Sequence, residues 1–413
     1  MTDSLIAVAQ RRTLRLLFVT QIISGVGVAI GASVGALLAA DLVGTGASGL
    51  AQSSVVVGAA LLALPATAIV QRRGRRPSLA STYLVAAIGS VVVVAAAMRS
   101  SAALLFPGFF LFGAATTANM QARYAAVDLA PPALRGRHLS LIVWATTLGA
   151  VAGPNLTAFA GAALSGRGVP TLAGPFALSA VLFVIAAVVI SLVMHPDPAV
   201  LARQAALGDA VPPAPRRVGL RAAFGVVSSH STARLGMIAV AVGHLIMVGV
   251  MAMTPVHIRG GGHGPTDTLR IVGIVLSFHI AGMYAFSPIV GWMTDRVGGR
   301  RVILAGLLFL IGACALAGTA GHDTTRLAAG LMLLGLGWSS TMVAGSTLLS
   351  ASVPVEMRAS AQGLSDFSMG IAGATAGALS GVIVGTWSYA ALAFVAALSA
   401  VPFLVAVARP ARS

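Results

Sequence analysis

Apolar runs about as long as a lipid bilayer is thick recur along the whole chain. A helix needs about 20 apolar residues to cross the hydrocarbon. Twelve stretches reach that length, at roughly 14–41, 49–71, 77–98, 102–127, 137–163, 171–194, 234–257, 269–293, 301–320, 325–351, 360–385 and 387–408. One such run can be a buried core helix, but twelve within 413 residues leave too little polar chain to wrap them. Only 9% of the residues are charged and 57% are hydrophobic, whereas a soluble domain carries roughly 25% charged residues. Lipid is therefore the solvent expected around most of the surface. Backbone groups in lipid must be satisfied within the segment, so the runs must be helices. The expectation is an all-α membrane protein with twelve transmembrane helices, antiparallel where the connections are short. The first run follows Arg11, Arg12 and Arg15, is too long for a signal-peptide core, and is read as a retained helix.

The net charge of +16 comes entirely from arginine, and the chain contains no lysine. In a soluble protein this excess would suggest nucleic acid. Here the arginines sit in short loops between apolar runs, and no nucleic-acid partner is expected. Their placement sets orientation. With the N-terminus in the cytoplasm, about 21 of the 26 arginines fall on the inner side, and Arg99, Arg167, Arg259, Arg270 and Arg326 fall outside. The asymmetry predicts an even number of spans, both termini cytoplasmic, and a multi-pass protein of a bacterial inner (plasma) membrane. The one long connection, 195–233, is rich in proline and basic (Arg203, Arg216, Arg217, Arg221). It reads as a cytoplasmic linker between a six-helix half at 1–194 and another at 234–413. Within it, 216–227 reads either as a short helix at the membrane surface or as disordered chain.

The halves echo each other. Thr67 to Arg76 reads T-A-I-V-Q-R-R-G-R-R, and about 224 residues later Gly291 to Arg301 reads G-W-M-T-D-R-V-G-G-R-R. Pro131 to Arg135 (P-P-A-L-R) is matched by Pro354 to Arg358 (P-V-E-M-R). A pattern laid down twice in an apolar chain points to a two-lobed transporter.

Six plus six spans, a central loop and the duplicated basic loop together resemble the major facilitator superfamily over essentially the whole chain. Gly291, Asp295, Arg296, Arg300 and Arg301 look like its loop motif between the second and third helices of each half, with one extra glycine. The first copy keeps Arg72, Gly74, Arg75 and Arg76, but Thr67 stands for the glycine and Gln71 for the acid. Gly149, Gly153 and Pro154 look like the core of the antiporter motif of drug exporters, although Thr157 and Ala158 depart from its flanks. Phe109 stands where a membrane arginine is often found in the fourth span. The resemblance implies a secondary transporter of the twelve-helix drug:proton antiporter type, exporting small organic molecules in exchange for protons. A proton-coupled importer of a nutrient or metabolite is the alternative. It also implies an architecture able to work as a monomer.

The loop motif reads physically as a latch. Asp295 at a helix end can pair with nearby arginines and favour the positive N-terminal end of another helix. In the first copy the weaker latch is expected to rest on Asp128 against the Arg72 to Arg76 cluster. Gly149 and Gly153 lie on one helix face and let another backbone approach. Pro154 can bend that helix.

Ionisable groups within spans cost roughly 2.5–3.5 kcal/mol on insertion scales, so each should face a cavity or a partner. A coupling group must titrate and see each side in turn. Asp366, about two turns into the eleventh span, is the first candidate. His279 and His244, which titrate near neutrality when unperturbed, follow. Arg123 and Asp128 at the end of the fourth span read as a structural pair before a proton site. Polar and aromatic residues that could line a substrate path include Gln21, Ser24, Asn119, Trp144, Asn155, Tyr284 and Trp338. This set is poor in charge and suits an amphipathic or weakly cationic organic molecule better than a carboxylate or sugar phosphate. No G-x-S-x-G, H-E-x-x-H or Walker sequence is present. Neither an enzyme nor ATP drive is expected, and no cofactor or metal. Cys314, the single cysteine, cannot form a disulfide within the chain.

Overall fold

The computed structural model describes residues 3–131, 134–165, 168–206 and 220–408. Arg167, Arg216 and Arg217 lie outside the described residues, as do the side chains of Arg135, Arg137, Arg203, Arg221 and Arg358. The described residues form helices and their connections, without a strand. In order these are α1 (Asp3–Val43), α2 (Thr45–Ser48), α3 (Leu50–Arg73), α4 (Arg75–Met98), α5 (Ala102–Phe112), α6 (Ala114–Ala125), α7 (Arg135–Ser165), α8 (Gly174–Val193) and α9 (Pro198–Ala206). There follow α10 (Leu220–Ser229), α11 (Ser231–Arg259), α12 (Pro265–Tyr284), α13 (Ser287–Val297), α14 (Gly299–Gly318), α15 (Thr324–Ala351), α16 (Val355–Thr386) and α17 (Tyr389–Ala408).

Among the described residues, eleven helical stretches are long and apolar enough to cross a membrane. The 31-residue α7 occupies the remaining predicted run, 137–163. Two spans are jointed. The fourth divides at Gly113, between α5 and α6. The eighth divides before Pro288, where the missing N–H and the ring disfavour an unbroken helix. The first span begins well before its apolar run, and its polar end is anchored by Gln10, which donates to the Ala126 carbonyl at 2.7 Å, and by Ala9, buried with Leu129 and Leu201. The surface carries Leu64, Phe159, Leu192 and Phe394, each about 70% exposed, as a lipid-bathed protein requires.

Contacts group the chain into two compact units. One comprises Met1–Val43, Ser54–Ala214 and Gly264–Gly273, and the other Gly44–Ser53, Pro215–His263 and Ile274–Ser413. In the first unit α1 lies directly on α7. A Cβ at Gly149 would stand 2.8 Å from the Val26 nitrogen, and one at Gly153 would stand 2.7 Å from the Val26 carbonyl oxygen. Both antiporter-motif glycines are thus at a backbone-to-backbone contact. Phe109, Phe112, Phe176 and Phe183 interlock edge-to-face beside them at centroid distances of 5.5–5.7 Å, and all four are buried. In the second unit α2 and the start of α3 lie on α16. Cβ atoms at Gly381 and Gly385 would stand 2.6 Å from Gly49 N and 2.7 Å from Gly46 N. The surface-helix reading of 216–227 meets α10. Its Val227 is buried with Ala233, Leu349, Val353 and Ala361, so this face of the helix is covered by protein.

Candidate transport site and its flanking loops

A polar knot sits inside the first unit. Asn119 Oδ1 on α6 accepts from Ser24 on α1 and from Tyr83 on α4, each at 2.8 Å. Gln21 donates to the Asn119 carbonyl at 3.0 Å. All four residues are buried. The hydroxyls of Ser24 and Tyr83, the Gln21 amide and Oδ1 of Asn119 all have partners, as a dry interior demands. Gln21 and Asn119 therefore tie three helices together. Tyr83, which completes the knot, was not singled out from the sequence. Trp144 on α7 is exposed and stacks on Phe18 at 6.2 Å. Asn155 is exposed on the same helix and donates to the Val151 carbonyl at 2.8 Å.

The first loop copy is built around two acids from other spans. Arg75 makes a two-pronged bond to Asp128, at 2.8 and 3.1 Å. It also donates to Gln121 at 2.7 Å, and Gln121 donates to Thr67 at 3.1 Å. The expected Arg123–Asp128 pair is corrected here: Arg75 holds the acid, while the buried Nε of Arg123 has no hydrogen-bond partner among the described residues. The planar guanidinium of Arg75 meets the carboxylate as a fork, while Asp128 lies in the turn beyond α6, the helix that carries Arg123. The second acid is Asp197. Its carboxylate accepts from the backbone N–H groups of Arg75 and Arg76, at 3.1 and 2.7 Å, and from those of Ala199 and Val200, at 3.0 and 3.2 Å. One side chain thus caps the first turns of both α4 and α9, where orphan N–H groups and the helix dipole favour an anion. Gly74 has φ +99°, and a Cβ there would stand 2.5 Å from an oxygen of that carboxylate. Only glycine suits the position. The Arg76 side chain reaches the His195 ring.

The second copy is arranged differently. Asp295 is exposed and makes no hydrogen bond or ion pair with the described residues of its own unit, which corrects the expected pairing with neighbouring arginines there. Arg296 instead lies 4.9 Å over the Trp292 ring, and Arg300 donates to the Val407 carbonyl at 2.9 Å. Gly298 takes φ +89° at the start of α14. Arg301 is exposed, and Gly291 lies near no side chain that a Cβ would meet. In the first copy Arg72 and Arg73 are exposed at the end of α3.

The second unit gathers an aromatic cluster from three helices, with a fourth packed against it. Trp338 on α15 donates its indole N–H to Nδ1 of His244 on α11 at 3.1 Å. In the neutral ring the hydrogen then sits on Nε2. Gly373 on α16 makes room for that edge, since a Cβ there would stand 2.9 Å from Nε2. Tyr284 at the end of α12 meets Trp338 edge-on at 6.0 Å. His279 is placed otherwise. It is fully buried, its Nδ1 lies 2.9 Å from the Leu331 carbonyl, and its Nε2 has no partner among the described residues. Asp366 is exposed on α16, seven residues before Gly373, and so on the helix face that meets His244.

The description of the Major Facilitator Superfamily matches this chain twice, over residues 17–271 and 266–413. The chain belongs to the Major Facilitator Superfamily. Among relatives of this superfamily member, YdeG of Bacillus subtilis (strain 168), an uncharacterized MFS-type transporter, is 37% identical over 387 residues, spanning 93% of this chain and 88% of that one. The riboflavin transporter RfnT of Brucella anthropi is 26% identical over 375 residues, spanning 89% of this chain and 87% of that one. Among solved structures, the nucleoside transporter NupG superposes with a TM-score of 0.74 at 15% identity, covering 96% of this chain and 98% of that one. The last likeness concerns the fold alone. As a member of this superfamily the protein is a multi-pass membrane transporter of small molecules and not an enzyme.

Proposed function

We propose that this transporter exports small amphipathic or weakly cationic organic molecules by proton antiport with alternating access. The observation that supports it most is the cluster of His244, Trp338 and Tyr284. It offers aromatic faces and one weakly basic ring, and among the described residues no arginine pair stands there to hold a carboxylate or phosphate. Aromatic faces attract flat, apolar or cationic molecules. Asp366 is the proton carrier in this reading, with His244 and His279 as secondary candidates, because it shares a face of α16 with the cluster. Two six-helix halves, 1–194 and 234–413, joined by the linker 195–233, would do this as a monomer in a bacterial inner membrane, with both termini cytoplasmic. One proton moving through 100 mV supplies about 2.3 kcal/mol, roughly a 50-fold gradient for a neutral solute exchanged one for one.

The test uses inverted vesicles carrying the protein, an imposed pH gradient and a panel of planar fluorescent cations beginning with ethidium. Accumulation inside as protons leave is the expected result. Loss of dye from preloaded vesicles under the same gradient, with no accumulation of any panel member, would defeat the export reading. The second reading, a proton-coupled importer of a nutrient or metabolite, draws support from the similarity to a riboflavin transporter. Riboflavin added to the same panel separates the two by the direction in which it moves.

A further inference from the structure

A groove of about 580 Å³ runs between the beginning of α1 and the end of α8. Arg11, Arg12 and Arg15 stand on one side of it, and Val19, Val189 and Val193 form apolar wall. The spacing explains the arrangement. Positions 8, 11, 12, 15 and 19 fall on one face of α1, and all five residues are exposed, while Thr13, Leu14 and Leu17 are buried on the opposite face and Leu16, buried between the two, floors the groove. The result is three guanidinium groups within five residues. Among the described residues none of the three makes a hydrogen bond or ion pair, and no acid lines the groove. Like charges this close on a helix repel one another, so an anion placed among them would be favoured.

We propose that this groove binds the headgroup of an anionic phospholipid. The phosphodiester would lie against Arg11, Arg12 and Arg15, which match it as planar forks. The glycerol and the start of an acyl chain would lie on Val19, Val189 and Val193. A freely soluble phosphate has no use for those valines, and a zwitterionic lipid brings a headgroup cation that three arginines would repel. The arginines stand where the long apolar stretch of α1 begins, which is headgroup depth. In the orientation proposed above this is the cytoplasmic leaflet. The inference stands independently of what the transporter carries.

The full chain, purified in neutral detergent, is titrated with dioctanoyl phosphatidylglycerol, dioctanoyl phosphatidylcholine and glycerol 3-phosphate. Binding is read by thermal shift and by native mass spectrometry. Phosphatidylglycerol is expected to bind at least about tenfold more tightly than either of the others. A basic residue at an anionic membrane surface contributes about fivefold, so R11Q/R12Q/R15Q should lose about 100-fold in affinity. R12Q alone should lose about fivefold, and it decides the matter if the triple variant does not fold. V189W fills the apolar wall without touching a charge and should also weaken the lipid about tenfold. Equal binding of the two lipids, undiminished binding by R12Q and the triple variant, or undiminished binding by V189W would each overturn the proposal. So would glycerol 3-phosphate binding as tightly as the lipid, which would make the groove a soluble-phosphate site.

Discussion

Asp197 shows how much one side chain can organise in an apolar chain. Four backbone N–H groups converge on its carboxylate, two at the start of α4 and two at the start of α9. Replacing an N-cap acid by alanine costs about 0.5–2 kcal/mol, and this residue caps two helices. Asp197→Ala should therefore lower stability by about 2 kcal/mol, with a lower melting temperature in detergent and faster hydrogen exchange at Arg75 and Arg76. Asp197→Asn should recover part of the loss, because its oxygen still accepts; no recovery would mean that packing, not capping, is at stake. Nothing in the sequence marked this residue, since it lies three positions past the last apolar residue of its span, Met194, and reads as one more polar residue of a linker. Tyr83 escaped notice for a related reason: a phenol within an apolar run looks like core until its hydroxyl is found on Asn119. For the proposed coupling, Asp366→Asn should abolish gradient-driven transport while the purified variant melts as the wild type does. Transport that persisted under an imposed pH gradient would remove Asp366 from the role of carrier.

At the scale of helices, the apolar runs were legible, some almost to the residue, while the early start of α1 and the breaks within the fourth and eighth spans were not. The run predicted at 77–98 is α4 (Arg75–Met98), and that at 325–351 is α15 (Thr324–Ala351). Hydropathy suffices for this because an apolar run of about 20 residues can satisfy its backbone in lipid only as a helix, the strands of a closed barrel being about half that length. Which helix touches which was legible only where small residues announce a close approach. Gly149 and Gly153 did so, and they bring α7 onto α1. Gly153→Leu should force those backbones apart. The expected outcome is a loss of about 3 kcal/mol or more, seen as a sharply reduced yield of monodisperse protein. Gly153→Ala should be milder but still destabilising, because its one added carbon would stand 2.7 Å from the Val26 carbonyl oxygen and from the Ala29 methyl. A fully stable Gly153→Leu variant would show that the two helices do not need this contact. Spacing alone could not say that Gly373, the analogue of this pattern in α16, makes room for the His244 ring and not for another backbone.

At the scale of the molecule, the chain repeats its plan but not its chemistry. The first loop copy lost its own acid at Gln71 and is held by Asp128 and Asp197, contributed by the ends of other spans. The second copy keeps Asp295, which finds no ion pair within its own unit. If Asp295 served folding, its loss would be felt in stability. Asp295→Ala should instead leave the melting temperature within about a degree of wild type and slow turnover without abolishing substrate binding. Unchanged turnover would reduce the motif to a marker of topology. The unequal holding of the two loops also limits what can be transplanted. Aligning Pro131 with Pro354 sets Asp128 opposite Ala351. A graft of 67–76 in place of 291–301 would bring Arg75 to a neighbourhood with a methyl group where its carboxylate used to be. Duplicated in outline, the halves have become non-interchangeable parts, each spelling the same bend with charges borrowed from a different address.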